Sequence, residues 1–319
     1  MKLRVAVVGA GAFGRNHMRV VKLSERAELV AVVDTSAERA REAAGLYGCQ
    51  VLADLALLAG RVDAAIVAVP TSAHAAVGCA LLEAGIDVLV EKPIALDLAS
   101  GRRLVETAES RGRILQVGHL ERFNPAVTAL AQVVRLPLFF DIHRLSTFTP
   151  RSLDIDVVLD LMIHDIDIVL SLVGSMPEEI RAAGISILTR KVDIASVRLA
   201  FPGGCVANLT ASRVSTEKVR KLRLFQPHHY LSLDYSKQEA FSLAVTPDQR
   251  IASNPMAVEK DEPLRLEVDS FLDCVETRAQ PRVGGRDACR ALEVALAIAA
   301  GIEEHSQVVA RSLSSLEKA

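Results

Sequence analysis

The segment VVGAGAFGRNH, residues 7–17, joins a short apolar run to a helical pattern through a glycine-rich turn. Gly9, Gly11 and Gly14 fall in a G-x-G-x-x-G frame, which is a weak signal alone because such frames also occur by chance. Its context is more specific, since it follows a predicted strand and opens a predicted helix, and Asp34 ends the next strand twenty residues after Gly14. This arrangement is typical of a dinucleotide-binding turn, in which the backbone approaches a pyrophosphate and the acid accepts from a ribose hydroxyl.

Two simpler explanations of this turn stay open. The glycines could serve only the close packing of strand against helix, and Asp34 could be a helix cap. If the turn does bind a dinucleotide, Asp34 predicts NAD in preference to NADP, because its carboxylate would repel a 2′-phosphate. The next residues, Thr35 and Ser36, offer no cation, although Arg39 lies one helical turn further on and weakens the preference.

The first 120 residues alternate apolar runs with helical patterns. The predicted strands are LRVAVVG, ELVAVVD, DAAIVAVP, IDVLVE and RILQVG. The predicted helices are Ala12–Leu23, Ser36–Tyr47, Ser72–Ala84 and Asp97–Ser110. Continuous apolar strands that alternate with helices predict a parallel sheet covered on both faces, that is, a doubly wound Rossmann fold of the α/β class.

The pattern changes after Phe123. The predicted elements there are a helix at about Pro125–Val134, the strand LFFDIHRLST, a very apolar helix at Asp156–Val173, six strands in series between residues 179 and 245, and helices at about Leu264–Thr277 and Arg286–His305. Serial strands without intervening helices predict an α+β domain with a mostly antiparallel open sheet. We therefore expect two domains, an NAD-binding Rossmann domain at residues 1–122 and a domain for substrate binding and oligomerisation at residues 123–319.

Composition narrows the class of protein. With 319 residues, 50% of them hydrophobic, the chain is long enough for two cores. The net charge of −2 disfavours nucleic acid and acidic membranes as partners. Five scattered cysteines without a C-x-x-C spacing predict buried thiols, with neither disulfides nor a metal site. Since no basic leader or long apolar span is present, we expect a soluble cytoplasmic protein.

Polar residues also follow two other predicted strands. They are Pro70, Thr71, Ser72 and His74 after the first strand, and Glu91, Lys92 and Pro93 after the second. Ligands of an open α/β sheet bind beyond the carboxyl ends of its strands, so we expect four of these side chains to share a crevice with the glycine turn. These four are Thr71, His74, Glu91 and Lys92. Simpler explanations are that Ser72 caps its helix, that His74 lies on a helix surface, and that the charged pair is a solvated loop.

A polar stripe crosses the very apolar helix predicted at Asp156–Val173. Asp160, His164, Asp167 and Ser171 recur at helical spacing, and a buried polar stripe must be satisfied. It could be a structural hydrogen-bond network. It could also be an acid–base site, in which His164 takes a proton from an alcohol as hydride leaves carbon and Asp160 or Asp167 orients the ring. A nearby lysine would then stabilise the alkoxide.

Taken together, these motifs resemble the glucose–fructose oxidoreductase/inositol dehydrogenase (Gfo/Idh/MocA) family. The resemblance rests on VVGAGAFGRNH, VAVPTSAH, VEKPIAL, QVGHLERFNPA, DLMIHDIDI and VDSFLDCVETRAQPRVGGRDA, in the family's order, and it covers nearly the whole chain. It implies that Lys92 lies beside the nicotinamide and substrate, before a cis peptide to Pro93. It also implies that Asp160 and His164 complete the catalytic set.

The resemblance also implies a set of cofactor-binding residues. They are Gly9, Gly11, Ala12, Phe13, Gly14, Asp34, Pro70, Thr71, His74, Glu91, Lys92 and Arg122. Glu91 is expected near the nicotinamide ribose and Arg122 near the nicotinamide end. One departure is that many members carry glycines around the D-x-x-x-H pair, where this chain has Val158-Leu159 and Leu161-Met162. This difference could narrow or reshape the substrate pocket.

The activity that this resemblance implies is NAD-dependent oxidation of a secondary hydroxyl of a sugar. The motifs look closest to the branch that oxidises the 3-hydroxyl of UDP-N-acetylglucosamine. Alternatives are a dehydrogenase of a free sugar or inositol, a non-catalytic NAD-binding regulator of the same fold, and an enzyme that reduces an imine or a tetrapyrrole. The open face of the second sheet needs cover, and family members commonly pair such sheets, so we expect a homodimer or homotetramer.

A local excess of cations between Arg213 and Arg223 suggests a diphosphate-bearing substrate. This stretch contains five basic residues and a single acid, Glu217. Arg144 and Arg151 could also contact the phosphates. Arginine grips phosphates with paired donors, although an edge strand guarded by cations would give the same pattern.

Overall fold

Six parallel strands form the sheet of the first part of the chain in the computed structural model, which describes residues 2–148, 155–246 and 248–316. The strands are β1 (Leu3–Val8), β2 (Ala27–Val33), β3 (Gln50–Val51), β4 (Ala64–Val67), β5 (Asp87–Glu91) and β6 (Leu115–Gly118). The helices between them are α1 (Ala12–Leu23), α2 (Ala37–Tyr47), α3 (Thr71–Glu83) and α4 (Leu98–Arg111). The strand order β3-β2-β1-β4-β5-β6 is that of a doubly wound Rossmann sheet, which confirms the predicted fold.

The central strands of this sheet are buried on both faces. Every residue of β4 and β5 is buried, as expected for parallel strands with helices on either side. The sequence pattern missed β3, because its two residues, Gln50 and Val51, are both exposed and too few to show a period. It also missed a short 3₁₀ helix at Leu55–Leu58, where the Asp54 carboxylate accepts from the amide of Ala56.

A helix from near the end of the chain completes the core of this sheet. α7 (Pro263–Thr277) contributes Val268, Phe271 and Leu272, none of them exposed, to the hydrophobic cluster that contains β1 and α1. Arg278, just after α7, donates to the Asp87 carboxylate of β5 with N–O distances of 2.5 and 3.1 Å. The segment that carries α7 is therefore part of this core.

Two compact units result, and their boundary differs from the sequence prediction in one respect. Unit 1 comprises Met1–Phe123 and Glu262–Cys289, and unit 2 comprises Asn124–Asp261 and Arg290–Ala319. The sequence predicts instead that all of residues 123–319 belong to the second domain. The helical period of residues 264–277 predicted an apolar face correctly, but a period does not say which sheet that face will cover.

Unit 2 is built on an eight-stranded sheet that is antiparallel apart from one pair. Its strands are β7 (Phe139–Leu145), β8 (Glu179–Ile185), β9 (Ile194–Ala200), β10 (Val206–Ser212), β11 (Val219–Gln226), β12 (His229–Asp234), β13 (Glu239–Val245) and β14 (Ile251–Pro255). Their order is β14-β13-β12-β11-β7-β10-β9-β8, and only β7 and β10 run parallel. The predicted, mostly antiparallel sheet is confirmed, with β14 as an added edge strand.

Three helices accompany this sheet, and one of them has an irregular start. They are α5 (Pro125–Val133), α6 (Ile163–Val173) and α8 (Gly285–Leu316), the last of which groups with unit 2 from Arg290 onward. A π-helical turn at Val158–Met162 precedes α6, and the Asp156 carboxylate caps it by accepting from two backbone amides at 2.9 Å each. The predicted helix Asp156–Val173 is therefore present, but its first turn is wider than an α-helix. No helix in the described part of the chain is both long and apolar enough to cross a membrane.

Candidate cofactor and active site

Glycine is present at the three positions of the first turn for different physical reasons. Gly9 has φ +100°, and a Cβ there would lie 2.4 Å from the carbonyl oxygen of Ala68. A Cβ on Gly14 would lie 1.8 Å from the carbonyl oxygen of Gly9, so both positions are required by packing. A Cβ on Gly11 would meet no protein atom within 4 Å. The packing explanation therefore accounts for Gly9 and Gly14, while Gly11 leaves space for a ligand.

The start of α1 is suited to an anionic ligand. Gly11 is its N-cap and provides no side-chain hydrogen bond, and no acid lies in the first turn. Gly11 and Ala12 are exposed, and Phe13 is 53% exposed although it is a large apolar residue. The first amides of the helix are therefore open to a pyrophosphate, which is the fit that a dinucleotide requires.

Asp34 at the end of β2 is tied to the glycine turn. Its carboxylate accepts from the amides of Ala10 and Ser36 at 2.7 Å each and from the guanidinium of Arg39 at 2.8 Å. Although burial opposes ionisation, these donors hold the pKa of Asp34 below its ordinary value. Asp34 does not cap α2, because that role belongs to Ser36, which accepts from the amide of Arg39. A charged acid thus lies at the position where a ribose is expected.

Glu91 and Lys92, at the end of β5, do not form a solvated loop. Glu91 is only 8% exposed, and its Oε1 lies 2.6 Å from Nε2 of the fully buried His17 on α1. The amide of Lys92 donates to Oε2 of Glu91 at 3.3 Å, and the Lys92–Pro93 peptide is cis, as the family resemblance implied. Although burial opposes it, the hydrogen bond from His17 and the neighbouring charges hold the pKa of Glu91 below its ordinary value. Glu91 is therefore a buried, charged acid, and Lys92 beside it is half-buried.

His74 has a different role from the one that we expected. The side chain is 1% exposed, so it is not a surface residue of α3. Its Nδ1 lies 2.8 Å from the carbonyl oxygen of Pro93, and its Nε2 lies 3.0 Å from that of Val69. Burial lowers the pKa of His74. Both ring nitrogens face protein carbonyls, so we correct the expected direct contact with cofactor: His74 joins the loops that follow β4 and β5.

The remaining predicted cofactor residues lie at the same ends of the unit 1 strands. Pro70 is the N-cap of α3, Thr71 is its half-buried first residue, and Ser72 is exposed and is not a cap. Arg122 is half-buried on a short 3₁₀ turn, Leu120–Phe123, that follows β6. Unit 1 therefore brings these residues to the edge of the sheet where the glycine turn lies, as expected from the carboxyl-end rule.

The predicted acid–base residues of unit 2 lie on the irregular helix. Asp160 belongs to the π-helical turn, and His164 is near the start of α6, where both are half-buried. Asp167 is 3% exposed, whereas Ser171 is exposed and donates to the carbonyl oxygen of Ile168. The stripe is therefore only partly buried. The amide of Ile163 reaches back five residues to Val158, and such π-helical turns often occur at functional sites.

Several arginines expected to bind phosphate are used inside unit 2. Arg144 is 1% exposed, donates to the carboxylate of Asp165 at 2.7 and 2.8 Å, and stacks over the ring of Tyr235. Arg213 is 6% exposed and donates to a backbone carbonyl. Arg223 pairs with Asp141 at 2.8 Å. The expected phosphate role of Arg144 is therefore corrected to a buried ion pair, and Arg151 lies outside the described residues.

Sequence reasoning missed two residues that surround Glu91. His17 was part of the quoted first motif but received no role, although it lies three residues after Gly14 on the buried side of α1. Glu267 lies within the apolar stripe of α7 and is fully buried. An acid in the middle of an apolar helical stripe is a visible signal in the sequence, and it would have marked Glu267.

Comparison with known proteins agrees with this geometry. A family model described as "Oxidoreductase family, NAD-binding Rossmann fold" (GFO_IDH_MocA) matches residues 3–119, and the "GFO/IDH/MocA C-terminal domain" model matches residues 134–226. A UDP-N-acetylglucosamine 3-dehydrogenase of Acidithiobacillus ferrooxidans is 35% identical and covers 96% of this chain and 99% of its own. An inositol 2-dehydrogenase of Rhizobium meliloti is 25% identical, with coverage of 97% and 99%.

Solved structures give the same result. The crystal structure of the UDP-N-acetylglucosamine 3-dehydrogenase GnnA from A. ferrooxidans superposes with a TM-score of 0.91 at 34% identity and covers 96% of this chain and 99% of its own. A putative myo-inositol dehydrogenase from Sinorhizobium meliloti has a TM-score of 0.80 at 24% identity, with coverage of 95% and 98%, and shows the shared fold alone.

We expect Gly11→Ala to weaken NAD binding by about tenfold or more without lowering the thermal stability of the free protein. The added Cβ meets no protein atom but stands where the pyrophosphate would approach the helix. Calorimetric titration with NAD and a thermal melt measure the two effects. Gly14→Ala is the matched control and should lower the melting temperature, since its Cβ meets the Gly9 carbonyl. Wild-type affinity in Gly11→Ala would contradict a pyrophosphate at this turn.

Proposed function

This chain belongs to the Gfo/Idh/MocA family of oxidoreductases with an NAD-binding Rossmann fold, and from that premise we propose that it oxidises the 3-hydroxyl of UDP-N-acetylglucosamine. The observation that carries the proposal is the likeness to the A. ferrooxidans enzyme, which extends over both units. Several inositol dehydrogenases are 33–37% identical, but only over 54–58% of this chain. Oxidation of inositol or a free sugar is the second candidate.

The proposed chemistry removes two hydrogens from a secondary alcohol. Bound at the glycine turn, NAD would supply the acceptor for the hydride of the carbinol carbon. We assign the general base to His164, which takes the hydroxyl proton, and we assign Asp160 to orient its ring. The ammonium group of Lys92 stabilises the negative charge that develops on the hydroxyl oxygen. The products are a 3-keto sugar, NADH and one proton released through His164, so the atoms and charge balance.

The proposed cofactor contacts follow the geometry of unit 1. The exposed turn at Gly11, Ala12 and Phe13, with Gly9 and Gly14 shaping it, would hold the pyrophosphate. The ionised Asp34 would accept from the adenosine ribose. At the nicotinamide end, the contacts that we propose are Pro70, Thr71, Glu91, Lys92 and Arg122. His74 is proposed only to position the Pro93 loop.

Incubation with NAD and a substrate panel tests the function. We expect UDP-N-acetylglucosamine to be oxidised with a far higher kcat/KM than free N-acetylglucosamine or myo-inositol, because remote binding energy positions the reacting carbon. Formation of NADH is followed by absorbance, and UDP should inhibit competitively against the sugar nucleotide. Comparable kcat/KM values for the free and nucleotide-linked sugars would favour the second candidate. No turnover of any sugar would favour a non-catalytic regulator.

Variants at the proposed catalytic residues test the mechanism. Lys92→Met and His164→Ala should each lower kcat by about 10² or more while NAD still binds, because each removes charge or proton handling at the reacting oxygen. His164→Ala should also remove an ionisation from the pH–rate profile. Lys237→Met and His229→Ala, at exposed positions of unit 2, are the controls. If Lys92→Met retained more than about a tenth of wild-type kcat, its proposed role would be wrong.

We also propose that the chain self-associates through the sheet of unit 2. One face of this sheet carries an aromatic row in which Phe139, Phe225, Tyr230 and Phe241 contact one another in sequence, with ring centroids 5.0–5.8 Å apart. Phe225 and Phe241 are each 39% exposed. A continuous, partly exposed aromatic row on a sheet is typical of an interface. A homodimer, or a homotetramer that contains the same pairing, would cover it.

Charge placed on this row should separate the subunits. We expect the double variant Phe225→Arg, Phe241→Arg to be smaller by light scattering than the wild-type protein, since guanidinium groups would be buried without partners. Leu23→Arg, at a 72% exposed position at the end of α1, is the control and should leave the mass unchanged. A wild-type monomer at micromolar concentration would overturn this proposal.

A further inference from the structure

A second acid lies beside Glu91 in the interior of unit 1. Glu267 on α7 is 0% exposed, and neither of its carboxyl oxygens has a hydrogen-bond partner among the residues that the structure describes. One oxygen from each acid and a ring nitrogen of His17 all lie within 4.8 Å of one another. We call these three residues the buried acid cluster. The proposed chemistry does not use Glu267, so its burial requires its own explanation.

A divalent cation is one ligand that two carboxylates and an imidazole could hold. The geometry disfavours it, because Nε2 of His17 and Oε1 of Glu91 are only 2.6 Å apart. Two ligands about 2.0–2.2 Å from a tetrahedral ion stand more than about 3 Å apart. Moreover, Nδ1 of His17 has no hydrogen-bond partner among the described residues, whereas a ligating histidine usually donates its other N–H. The 2.6 Å contact is therefore a hydrogen bond from the imidazole to the carboxylate.

Two carboxylates at this separation do not both ionise in a buried site, because the doubly charged state is strongly disfavoured. Their surroundings differ in a way that decides which one is charged. Glu91 accepts from His17 and from the amide of Lys92. Glu267 accepts no hydrogen bond from the described part of the chain, and burial together with the charge of Glu91 raises its pKa well above the ordinary value.

We propose that Glu267 keeps its proton at neutral pH, so that the buried acid cluster carries one negative charge, on Glu91, beside Lys92. Glu267 is then a positioning residue: it packs against Glu91 as a neutral carboxyl and fixes the charge that Lys92 faces. The room for the Glu91 carboxylate is limited on another side as well, since a Cβ on Gly118 would lie 3.0 Å from its Oε2. The effect on turnover rests on the proposed role of Lys92, but the protonation of Glu267 does not.

Other charged groups on the elements around the cluster form ion pairs of their own or have less effect on the pKa of Glu267. On or near α1, Arg15 pairs with Glu42, Arg19 with Glu262, and Arg26 with Asp273 and Glu276, while Lys22 lies at the end of the helix. On or near α7, Arg265 pairs with Asp269, and Arg278 pairs with Asp87. The turn Leu120–Phe123, which packs against α7, carries Glu121 and Arg122, and His74 acts on the charge of Glu91 from α3. Among all of these charged groups, only Glu91 has a resolved effect on the pKa of Glu267.

Infrared spectroscopy tests the proton directly. The spectrum of the wild-type protein minus that of Glu267→Gln, at neutral pH, should contain the carbonyl band of a protonated carboxylic acid. Glu83→Gln, at an exposed position of the same unit, should instead remove a carboxylate band. Loss of a carboxylate band in Glu267→Gln would overturn the proposal. So would a stoichiometric metal ion that elemental analysis finds in the wild-type protein and not in this variant.

The dependence of stability on pH gives a second test. A folded-state pKa above the unfolded value stabilises the protein below the unfolded pKa, and this stabilisation is lost as pH rises through the folded pKa. From about pH 5 upward, the unfolding constant of the wild-type protein should therefore rise relative to that of Glu267→Gln, by up to about tenfold per pH unit. Glu83→Gln should show no such trend. A ratio that does not change with pH would overturn the proposal.

The pH dependence of turnover then tests whether Glu267 stays neutral in the working enzyme. If Glu267 is neutral, Glu267→Gln preserves the single charge, and its pH–rate profile should coincide with that of the wild-type enzyme. Glu91→Gln removes the charge and should change the profile. A shifted profile in Glu267→Gln would mean that Glu267 is ionised in the wild-type enzyme. The spectroscopic and stability tests need no substrate, so a failure of the proposed function would leave them decisive.

Discussion

A charged carboxylate at the buried end of β5 constrains much of unit 1. Glu91 must find hydrogen-bond donors in the interior, because an unpaired buried charge costs several kcal/mol. One donor is His17 on α1, and another is the amide of Lys92. The helix that opens with the glycine turn therefore also holds the strand end that presents Lys92. Through this one hydrogen bond, the shape of the cofactor turn and the placement of the proposed catalytic lysine depend on each other.

Helix α7 makes unit 1 discontinuous in sequence. Six parallel strands and their four helices leave the inner face of α1 partly uncovered, and α7 covers it with Val268, Phe271 and Leu272. α7 also brings Glu267 to the carboxylate, so this helix is more than an apolar cover. A Rossmann sheet that ended at Phe123 would have both an open core and an incomplete environment for Glu91.

The sequence predicts the elements of this fold well where their period is long and their boundaries are marked. α1 was predicted with its observed bounds, since a glycine turn precedes it and the apolar face is regular. The pattern could not show β3, which has only two residues, or the unit to which α7 belongs. Both depend on contacts between distant parts of the chain, and periodicity reports only the local face of an element.

In the candidate site, too, the sequence predicts which residue types are present but not the environment of each one. The positions of Asp34, Glu91 and Lys92 at strand ends follow from the motifs and the topology of a parallel sheet. Their partners do not, because a sequence shows a charge but not what will neutralise it. His74 was expected at a ligand and instead lies between two backbone carbonyls.

The environment of each residue also decides whether the basic stretch between Arg213 and Arg223 supports a diphosphate-bearing substrate. In the sequence alone this stretch is a cluster of cations. In the structure, Arg213 lies near the carboxylate of Asp193, and Arg223 pairs with Asp141. Arg144, which was expected to assist, is matched by Asp165. Cations that are already paired inside a unit add little attraction for a diphosphate, since their field is largely cancelled at short range. Preference for a nucleotide sugar is therefore better argued from the likeness over the whole chain than from local charge. Of the basic residues in this stretch, Lys218 and Lys221 are the exposed ones and are the best placed to contribute.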